Sequence, residues 1–312
     1  MRRAEPATSP IVAGREADRA PLMGPAVGRT RDFRGGLAAW LPALPLILLI
    51  LFLLLAPATW LIVQSLMSDK GLTLDVWVKT VGSRITRRAV TTSLSISALS
   101  AMICTLVGAP VAWQISRMAT GRRALWLALL NVAANFGGIG LAFAYLATLG
   151  RVGMVTLVLH GLGVAFSPPR PASFIGLSLA YQYVNIPLYI LLTIPAMGVV
   201  RDEWWEAAQT SAATRGQFWR YVGLPLLTPF VAAGWLLIFT WSIGIYAIAY
   251  ALAGEGAGFV INLLTLEMGV GIQNYAIVGF SEPAVYGVLL LAWATFALLL
   301  YRVLLRRALR WF

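Results

Sequence analysis

Charged residues are scarce in this chain. Only 12% of its 312 residues are Asp, Glu, Lys or Arg, whereas a soluble domain has roughly 25%. Hydrophobic residues make up 59% of the sequence. A soluble protein of this length could not bury so much apolar surface, so we expect lipid to be part of the solvent that surrounds the chain.

Cysteine and histidine are almost absent, and each occurs once, as Cys104 and His160. A single cysteine cannot form an intramolecular disulfide, and the pair is too small for a Cys/His metal site. The sequence also lacks the G-x-x-x-x-G-K-[ST] loop of ATP-binding proteins, the H-E-x-x-H pair and a Ser-His-Asp grouping. We therefore expect no enzyme activity, no bound metal or cofactor and no ATP hydrolysis by this chain. Cys104 is expected to serve packing, and His160 is expected to lie in a loop without a catalytic role.

The few charges are clustered and leave six long gaps without Asp, Glu, Lys or Arg. The gaps lie between Arg34 and Asp69, Arg88 and Arg117, Arg123 and Arg151, Arg170 and Arg201, Arg220 and Glu255, and Glu282 and Arg302. Each is close to or longer than the ~20 apolar residues that cross ~30 Å of hydrocarbon as a helix. The pattern predicts an all-α membrane protein with about six spans. The predicted spans are about 37–66, 89–115, 124–149, 172–200, 226–253 and 284–302.

The net charge of +12 is distributed unevenly over the loops. With six spans both termini lie on one side of the membrane, and that side receives most of the basic residues. The other side keeps Lys70, Lys79, Arg84, Arg87, Arg88, Arg151 and Arg170. Basic residues accumulate on the cytoplasmic side of membrane proteins, so both termini are predicted to be cytoplasmic, in a multi-pass protein of the inner membrane. The basic excess therefore indicates topology and anionic headgroups, with no nucleic-acid partner.

The two ends of the chain are predicted to lie outside the membrane-spanning part. Residues 1–36 mix Arg, Pro, Gly and Ala without apolar periodicity, which is typical of a disordered tail. The first hydrophobic run is too long for a signal peptide. Residues 307–312 are predicted to form a short cytoplasmic tail.

Polar side chains at membrane depth are the first candidates for a functional role. They are Asn131, Asn135, Gln182, Tyr183 and Asn185. Such residues line a translocation pathway or form hydrogen bonds between helices, and the sequence leaves both alternatives open.

The loop between the fourth and fifth predicted spans, residues 201–225, carries the most specific pattern. Asp202 and Glu203 favour a helix N-terminus, and helical spacing resumes after a break, from Gln217 to Val222. Pro225 is suited to begin the fifth span, because the first turn of a helix does not need its N–H group. The pattern predicts two short helices on the cytoplasmic side.

This loop resembles the "EAA" loop of the permease subunits of ABC importers, in which Glu-Ala-Ala is followed by glycine and later by Leu-Pro. Glu206, Ala207 and Ala208 match the tripeptide, and Leu224-Pro225 follows at the expected separation, before the penultimate span. Ala212 stands where the family has glycine, and Gly216 is expected to supply the flexibility instead. A looser resemblance extends over residues 37–306, including the run from Gly108 to Trp113.

The resemblance implies a type I permease fold and a transport cycle powered by another protein. The EAA loop of such importers docks into a cleft of a separate ATP-binding subunit, which hydrolyses the ATP. The implied coupling residues are Glu206, Ala207, Ala208, Ala212, Gly216, Leu224 and Pro225. The implied partners are ATP-binding subunits, a second permease subunit that is identical or related, a periplasmic or lipid-anchored binding protein, and membrane lipids. The resemblance further implies a substrate among polyamines, iron, phosphonates and small oxyanions.

Two other classes of membrane protein fit the sequence less well. An ion-coupled secondary transporter usually needs a charged residue within a span, and the six predicted spans have none, although sodium coupling through backbone oxygens stays open. A membrane-embedded enzyme would need intramembrane His, Asp, Glu or paired Cys and ranks lower.

Overall fold

The computed structural model describes residues 41–68, 71–253, 261–274 and 279–308. The predicted disordered tail, 1–36, lies outside the described residues, as do residues 309–312. The chain divides into two units, Met1–Leu54 and Leu55–Phe312. The described part of the first unit is a 3₁₀ turn, Leu41–Ala43, and the beginning of the first helix. All packing described below belongs to the second unit.

The described secondary structure is almost entirely helical, which confirms the predicted all-α class. The long helices are α1 (Leu44–Leu66), α3 (Arg84–Ser116), α7 (Phe174–Met197), α10 (Leu224–Ile243) and α13 (Ser281–Ala308). Shorter helices are α2 (Asp75–Gly82), α4 (Thr120–Asn135), α5 (Gly138–Leu149), α6 (Met154–Gly161), α8 (Asp202–Thr210), α9 (Arg215–Phe218), α11 (Ala247–Ala253) and α12 (Leu264–Gln273). A π-helical turn, Trp219–Gly223, joins α9 to α10. A small antiparallel pair, β1 (Met67–Ser68) and β2 (Gly71–Leu72), follows α1.

Six helical segments of the described residues are long and apolar enough to cross a membrane. They are Leu44–Leu66, Arg84–Ser116, Gly138–Gly161, Phe174–Met197, Arg215–Ile243 and Ser281–Leu304. Their number agrees with the six predicted spans, but only half of their bounds lie within three residues of the prediction, and the third and fifth segments are shifted by ten or more residues at both ends. The second span, α3, begins earlier than predicted, at Arg84. The Ser83 hydroxyl caps this helix by accepting a hydrogen bond from the N–H of Thr86 (3.1 Å).

The third predicted span, 124–149, is divided into α4 and α5 by a break at Phe136 and Gly137. Gly138 has φ +71°, a left-handed conformation that glycine adopts without steric cost. The apolar segment Gly138–Gly161 also contains a turn between Leu149 and Met154, so it is no single helix. Since α4 packs along α7 and α5 contributes Leu141 and Tyr145 to the same bundle, we assign the third crossing to α4 and α5 together.

The fifth predicted span, 226–253, is also interrupted. Helix α10 ends at Ile243, and α11 begins at Ala247. The break frees the carbonyl oxygen of Ile245, which accepts hydrogen bonds from the Tyr181 hydroxyl and the Thr265 hydroxyl, both at 3.3 Å. A broken helix at membrane depth is tolerated where neighbouring side chains satisfy the backbone in this way.

The centre of the bundle is formed by α3, α7 and α10, which pack closely on one another. Tyr189 of α7 is fully buried between two glycines, Gly108 of α3 and Gly234 of α10. A Cβ atom at Gly108 would lie 2.5 Å from Tyr189 Cδ1, and one at Gly234 would lie 3.0 Å from Tyr189 Cε2 and 2.7 Å from Thr193 Cγ2. The absence of side chains at both positions therefore lets the three helices approach around the ring.

Candidate functional site

The loop that resembles the EAA loop forms α8, a turn, α9 and the π-helical turn. Helix α8 has two different faces. Trp204, Trp205 and Ala208 are partly buried and pack on an apolar cluster at the ends of α3 and α7. Glu203, Glu206, Ala207 and Thr210 recur at helical spacing on the other face and are exposed. The loop is thus a short amphipathic helix that lies on the bundle and presents Glu206 and Ala207 outward.

The structure separates the residues of the Glu-Ala-Ala tripeptide. Glu206 and Ala207 are exposed, whereas Ala208 packs against the cluster that contains Ile194, Met197 and Val200. Among the described residues Glu206 makes no ion pair. Its carboxylate and the small side chain of Ala207 are therefore the parts of the tripeptide that a second protein can contact.

Helix α8 ends in a Schellman motif. The N–H of Ala213 donates to the Ala208 carbonyl (3.0 Å), and the N–H of Ala212 donates to the Gln209 carbonyl (2.9 Å). Ala212 has φ +55° and is the only described residue other than glycine with positive φ. The expectation that Gly216 would supply the flexibility is wrong, because Gly216 lies in the first turn of α9 without a positive φ. The left-handed turn is at Ala212, the position where the family has glycine.

Replacing Ala212 by Gly is expected to stabilise this turn. A left-handed conformation costs a residue with a Cβ atom about 1 kcal/mol relative to glycine. In Ala212→Gly we expect hydrogen exchange of the Ala213 amide, which bonds to Ala208, to slow by roughly fivefold. Ala213→Gly is the matched control, because this neighbouring residue has no positive φ. Faster or unchanged exchange in Ala212→Gly would contradict the assignment of strain to this position.

Aromatic side chains connect the two helices of the loop to each other and to α3. Trp205 of α8 lies edge to face with Phe218 of α9, with ring centroids 5.3 Å apart. Trp219, at the start of the π-helical turn, contacts Trp113 of α3 in the same manner at 4.9 Å. Thr214 and Gln217 form a capping box that begins α9. These contacts connect α8 and α9 to each other and to the inner end of α3.

Leu224 and Pro225 begin α10, as the sequence predicts. Both residues are exposed. The preceding Gly223 is buried under the Trp219 indole, and a Cβ atom there would lie 2.6 Å from Trp219 Cε3. The Leu-Pro pair therefore marks the junction between the loop and the span. It belongs to α10, whereas Glu206 belongs to α8.

The five polar residues at membrane depth do not form one group. Gln182 and Asn185 are buried inside the bundle between α3, α7 and α10. Gln182 Nε2 and Asn185 Nδ2 both donate to Ser100 Oγ, at 3.0 and 2.9 Å. Asn185 Nδ2 also donates to Ser242 Oγ at 2.8 Å, and the Cys104 thiol donates to Gln182 Oε1 at 3.1 Å. In this conformation the two amides hold helices together.

Asn131, Asn135 and Tyr183 are exposed instead. The two asparagines lie one turn apart on α4, and each donates its side-chain amide to the carbonyl four residues earlier, at 2.8 and 2.9 Å. The Tyr183 hydroxyl lies 3.2 Å from the Thr148 hydroxyl. Of the five candidates, these three are accessible from outside the chain.

Sequence reasoning missed the residues that fix the loop in place. Trp113, Arg117 and Trp219 had no assigned role, and Arg117 was noted only as the end of a charge-free gap. The spacing of Trp204, Trp205 and Ala208 on one helix face was a usable signal for the buried side of α8. Nothing in the sequence, however, indicated that Arg117 would meet Asp202, which lies 85 residues further along the chain.

Several known proteins are similar in sequence, although no family model matches the chain. The molybdenum transport system permease protein ModB of Mycobacterium tuberculosis is 30% identical over 182 residues, which cover 56% of this chain and 65% of the relative. The spermidine/putrescine permease protein PotB of Haemophilus influenzae is 28% identical over 176 residues, covering 56% and 62%. The sulfate permease protein CysT of Escherichia coli is 27% identical over 225 residues, covering 70% and 77%. The matches with ModB and PotB thus span less than two thirds of those relatives.

The fold is similar to that of solved ABC transporters. One is a bacterial ABC transporter involved in the import of the acidic polysaccharide alginate, with a TM-score of 0.65, 16% identity and coverage of 90% of this chain and 98% of the other. A second is a bacterial alginate ABC transporter in complex with an alginate-bound periplasmic protein, with a TM-score of 0.65, 18% identity and coverage of 86% and 94%. The predicted helices, the sequence relatives and the shared fold agree, and in all three respects the chain is similar to the permease subunits of ABC importers.

Proposed function

We propose that this chain forms part of the translocation pathway of a binding-protein-dependent importer and that α8 is its coupling helix. The observation that carries the proposal is the two-sided character of α8. Its aromatic face packs on the bundle, while Glu206 and Ala207 face outward on the same side as Glu203. An amphipathic helix whose exposed face carries carboxylates beside a small side chain suits the groove of a partner protein.

The partner of α8 in this proposal is a separate ATP-binding subunit on the cytoplasmic side. The sequence contains no ATP-binding loop, and in this proposal the energy for transport comes from ATP that the partner subunit hydrolyses. A second permease subunit, identical or related, and a periplasmic or lipid-anchored binding protein complete the importer. Both termini are cytoplasmic in this arrangement, which places α8 on the same side as the ATP-binding subunits.

Residues of the pathway follow from the exposure of the polar side chains. Asn131, Asn135 and Tyr183 are accessible on the surface of this chain and are proposed to face the pathway between two permease subunits. Polar amides are unfavourable against lipid, which supports this placement. Gln182 and Asn185 are proposed to serve packing between helices, since both are buried and bonded within the chain.

The proposed substrate is a small charged solute, and we propose a small oxyanion. The relatives are named for molybdenum, sulfate and spermidine/putrescine transport. Of these three, the sulfate permease protein CysT matches over the most residues, 225. Uptake of labelled molybdate, sulfate and spermidine by cells that carry or lack the chain distinguishes these classes. Uptake of spermidine alone would contradict the oxyanion proposal.

A cysteine cross-linking experiment tests the coupling assignment. In a Cys104→Ser background, Ala207→Cys is expected to cross-link to the ATP-binding subunit in membranes from cells that express the whole importer. The reason is that Ala207 faces outward on α8. The cross-linked product is measured by gel shift.

Ala208→Cys is the matched control for the cross-linking experiment. Ala208 is the adjacent residue, but its side chain packs against the bundle. It is expected to cross-link at least about tenfold less, since a partner docked on the exposed face is out of its reach. Equal products from both positions, or labelling of Ala207→Cys only from the periplasmic side, would contradict the proposal.

A further inference from the structure

Arg117 directly follows the last residue of α3, at its inner end. Its side chain contacts Asp202 of α8, Val200 just before the loop, and Trp113 of α3. Its Nη1 atom forms an ion pair with the Asp202 carboxylate, in the first turn of α8. Its Nη2 atom donates to the carbonyl of Val200, at 2.5 Å. Its guanidinium also lies 4.3 Å from the centroid of the Trp113 ring. Within the described ranges this is the only ion pair.

The charge of this pair is not the main point, because Asp202 is 81% exposed and exposed pairs contribute little to stability. The geometry is more specific. A planar guanidinium donates through two nitrogens and stacks on an aromatic ring at the same time, which a lysine cannot do. Arg117 thereby fixes both the position and the direction of the N-terminus of α8 relative to α3.

The same contacts close a ring of side chains around the loop. Arg117 lies on Trp113, Trp113 contacts Trp219, and Trp219 lies 6.0 Å from Phe218. Phe218 contacts Trp205 of α8, and the first turn of α8 returns to Arg117 through Asp202. The other contacts of α8 with the bundle are apolar and non-directional, so they permit sliding. Arg117 is the directional member of the ring on α3.

We propose that Arg117 is a positioning residue that makes α8 and α3 move as one body, so that displacement of α8 reaches the helices of the pathway. The inference rests on the proposed coupling function of α8. Coupling between sites is carried by packed side chains and hydrogen bonds that keep one arrangement. Without Arg117, α8 still carries Glu206 for docking, but its N-terminus is no longer tied to α3.

The test uses the complete importer in proteoliposomes with its binding protein and compares Arg117→Ala with the unmodified chain. Two rates are measured, ATP hydrolysis stimulated by the loaded binding protein and uptake of the labelled substrate. We expect the number of substrate molecules taken up per ATP to fall by about tenfold, with the ATPase subunit still co-purifying. Arg122→Ala is the matched control, because Arg122 is an exposed arginine of the same cytoplasmic turn.

A double substitution separates positioning from general damage. Asp202→Ala is expected to lower the number of substrate molecules taken up per ATP. Adding Asp202→Ala to Arg117→Ala is expected to cause no further loss, because each substitution removes the same Arg117–Asp202 ion pair. Additive losses, an unchanged ratio, or a parallel loss of hydrolysis and uptake would overturn the inference. If Glu206→Ala transports normally in the same assay, the coupling function itself is wrong. If only the Arg117 variant transports normally, the failure is confined to this inference.

Discussion

Replacing Glu206 by Ala is expected to abolish uptake while the protein stays folded in the membrane. Glu206 is exposed in the middle of α8, and its carboxylate has no ion-pair partner among the described residues. Removal of a central charged contact from a docked interface typically costs about 2 kcal/mol or more, which corresponds to roughly 30-fold weaker association. We therefore expect uptake and co-purification of the ATP-binding subunit to fall by at least about tenfold. Folding is checked by the elution profile of the detergent-solubilised protein.

The neighbouring positions provide the controls for this prediction. Glu203→Ala removes a carboxylate from the same exposed face, one turn earlier, and is expected to retain most of the uptake. Ala207→Trp places a bulky side chain beside Glu206 and is expected to block docking, whereas Ala207→Ser is expected to be tolerated. Ala208 is the wrong position for a steric test of docking, because it faces the bundle. Normal uptake in Glu206→Ala, or equal loss in Glu203→Ala, would contradict a specific coupling contact.

The second large effect is expected in the centre of the bundle, at Gly108 and Gly234. Replacing either glycine by Ala is expected to destabilise the protein by about 2 kcal/mol, because the added Cβ atom would overlap the buried Tyr189 ring or Thr193. An exposed helical glycine shows the opposite behaviour, since alanine is the better helix former by roughly 1 kcal/mol. The measurement is the free energy of unfolding in detergent micelles, from denaturant titration.

Gly216→Ala is the matched control, because no atom lies within 4 Å of a Cβ atom at that position. It is expected to leave stability unchanged or to raise it slightly. Combining Gly108→Ala with Tyr189→Leu tests the cause. The double variant is expected to lose less free energy than the sum of the two single losses, since the smaller side chain gives room for the new methyl group. Strict additivity would show that Tyr189 is not the obstacle.

The number of spans could be predicted from the sequence because burial in lipid depends on local length and apolarity. Each of the six charge-free gaps overlaps a long apolar segment, although the third segment, Gly138–Gly161, extends beyond Arg151 at the end of its gap. Interruptions within spans were missed, since Gly138 and Gly244 lie in apolar runs that read as continuous helix. Whether such a run breaks depends on neighbours such as Tyr181 and Thr265, whose hydroxyls donate hydrogen bonds to the freed carbonyl oxygen of Ile245.

In the candidate site, too, some features could be predicted from local sequence and others depend on tertiary contacts. Its location between residues 201 and 225 could be predicted, because capping residues, a break and Leu-Pro are local signals. The spacing of Trp204, Trp205 and Ala208 indicated which face of α8 is buried, but the residues of α3 and α9 that this face meets could not be predicted. The same holds for the pathway candidates, of which two are buried and three are exposed.

The sequence by itself determined that this chain is a membrane protein of about six spans with a two-helix loop that resembles the coupling loop of ABC permeases. These properties follow from hydrophobic length, charge distribution and short-range helix signals, which act within about 20 residues. The tertiary structure decided that Ala212 adopts the left-handed turn, that Ala208 faces the bundle, and that Arg117 reaches Asp202. The turn at Ala212 is closed by local backbone hydrogen bonds, whereas the packing of Ala208 and the Arg117–Asp202 contact depend on side chains that distant parts of the chain bring together. No local pattern of residues encodes the meeting of Arg117 with Asp202.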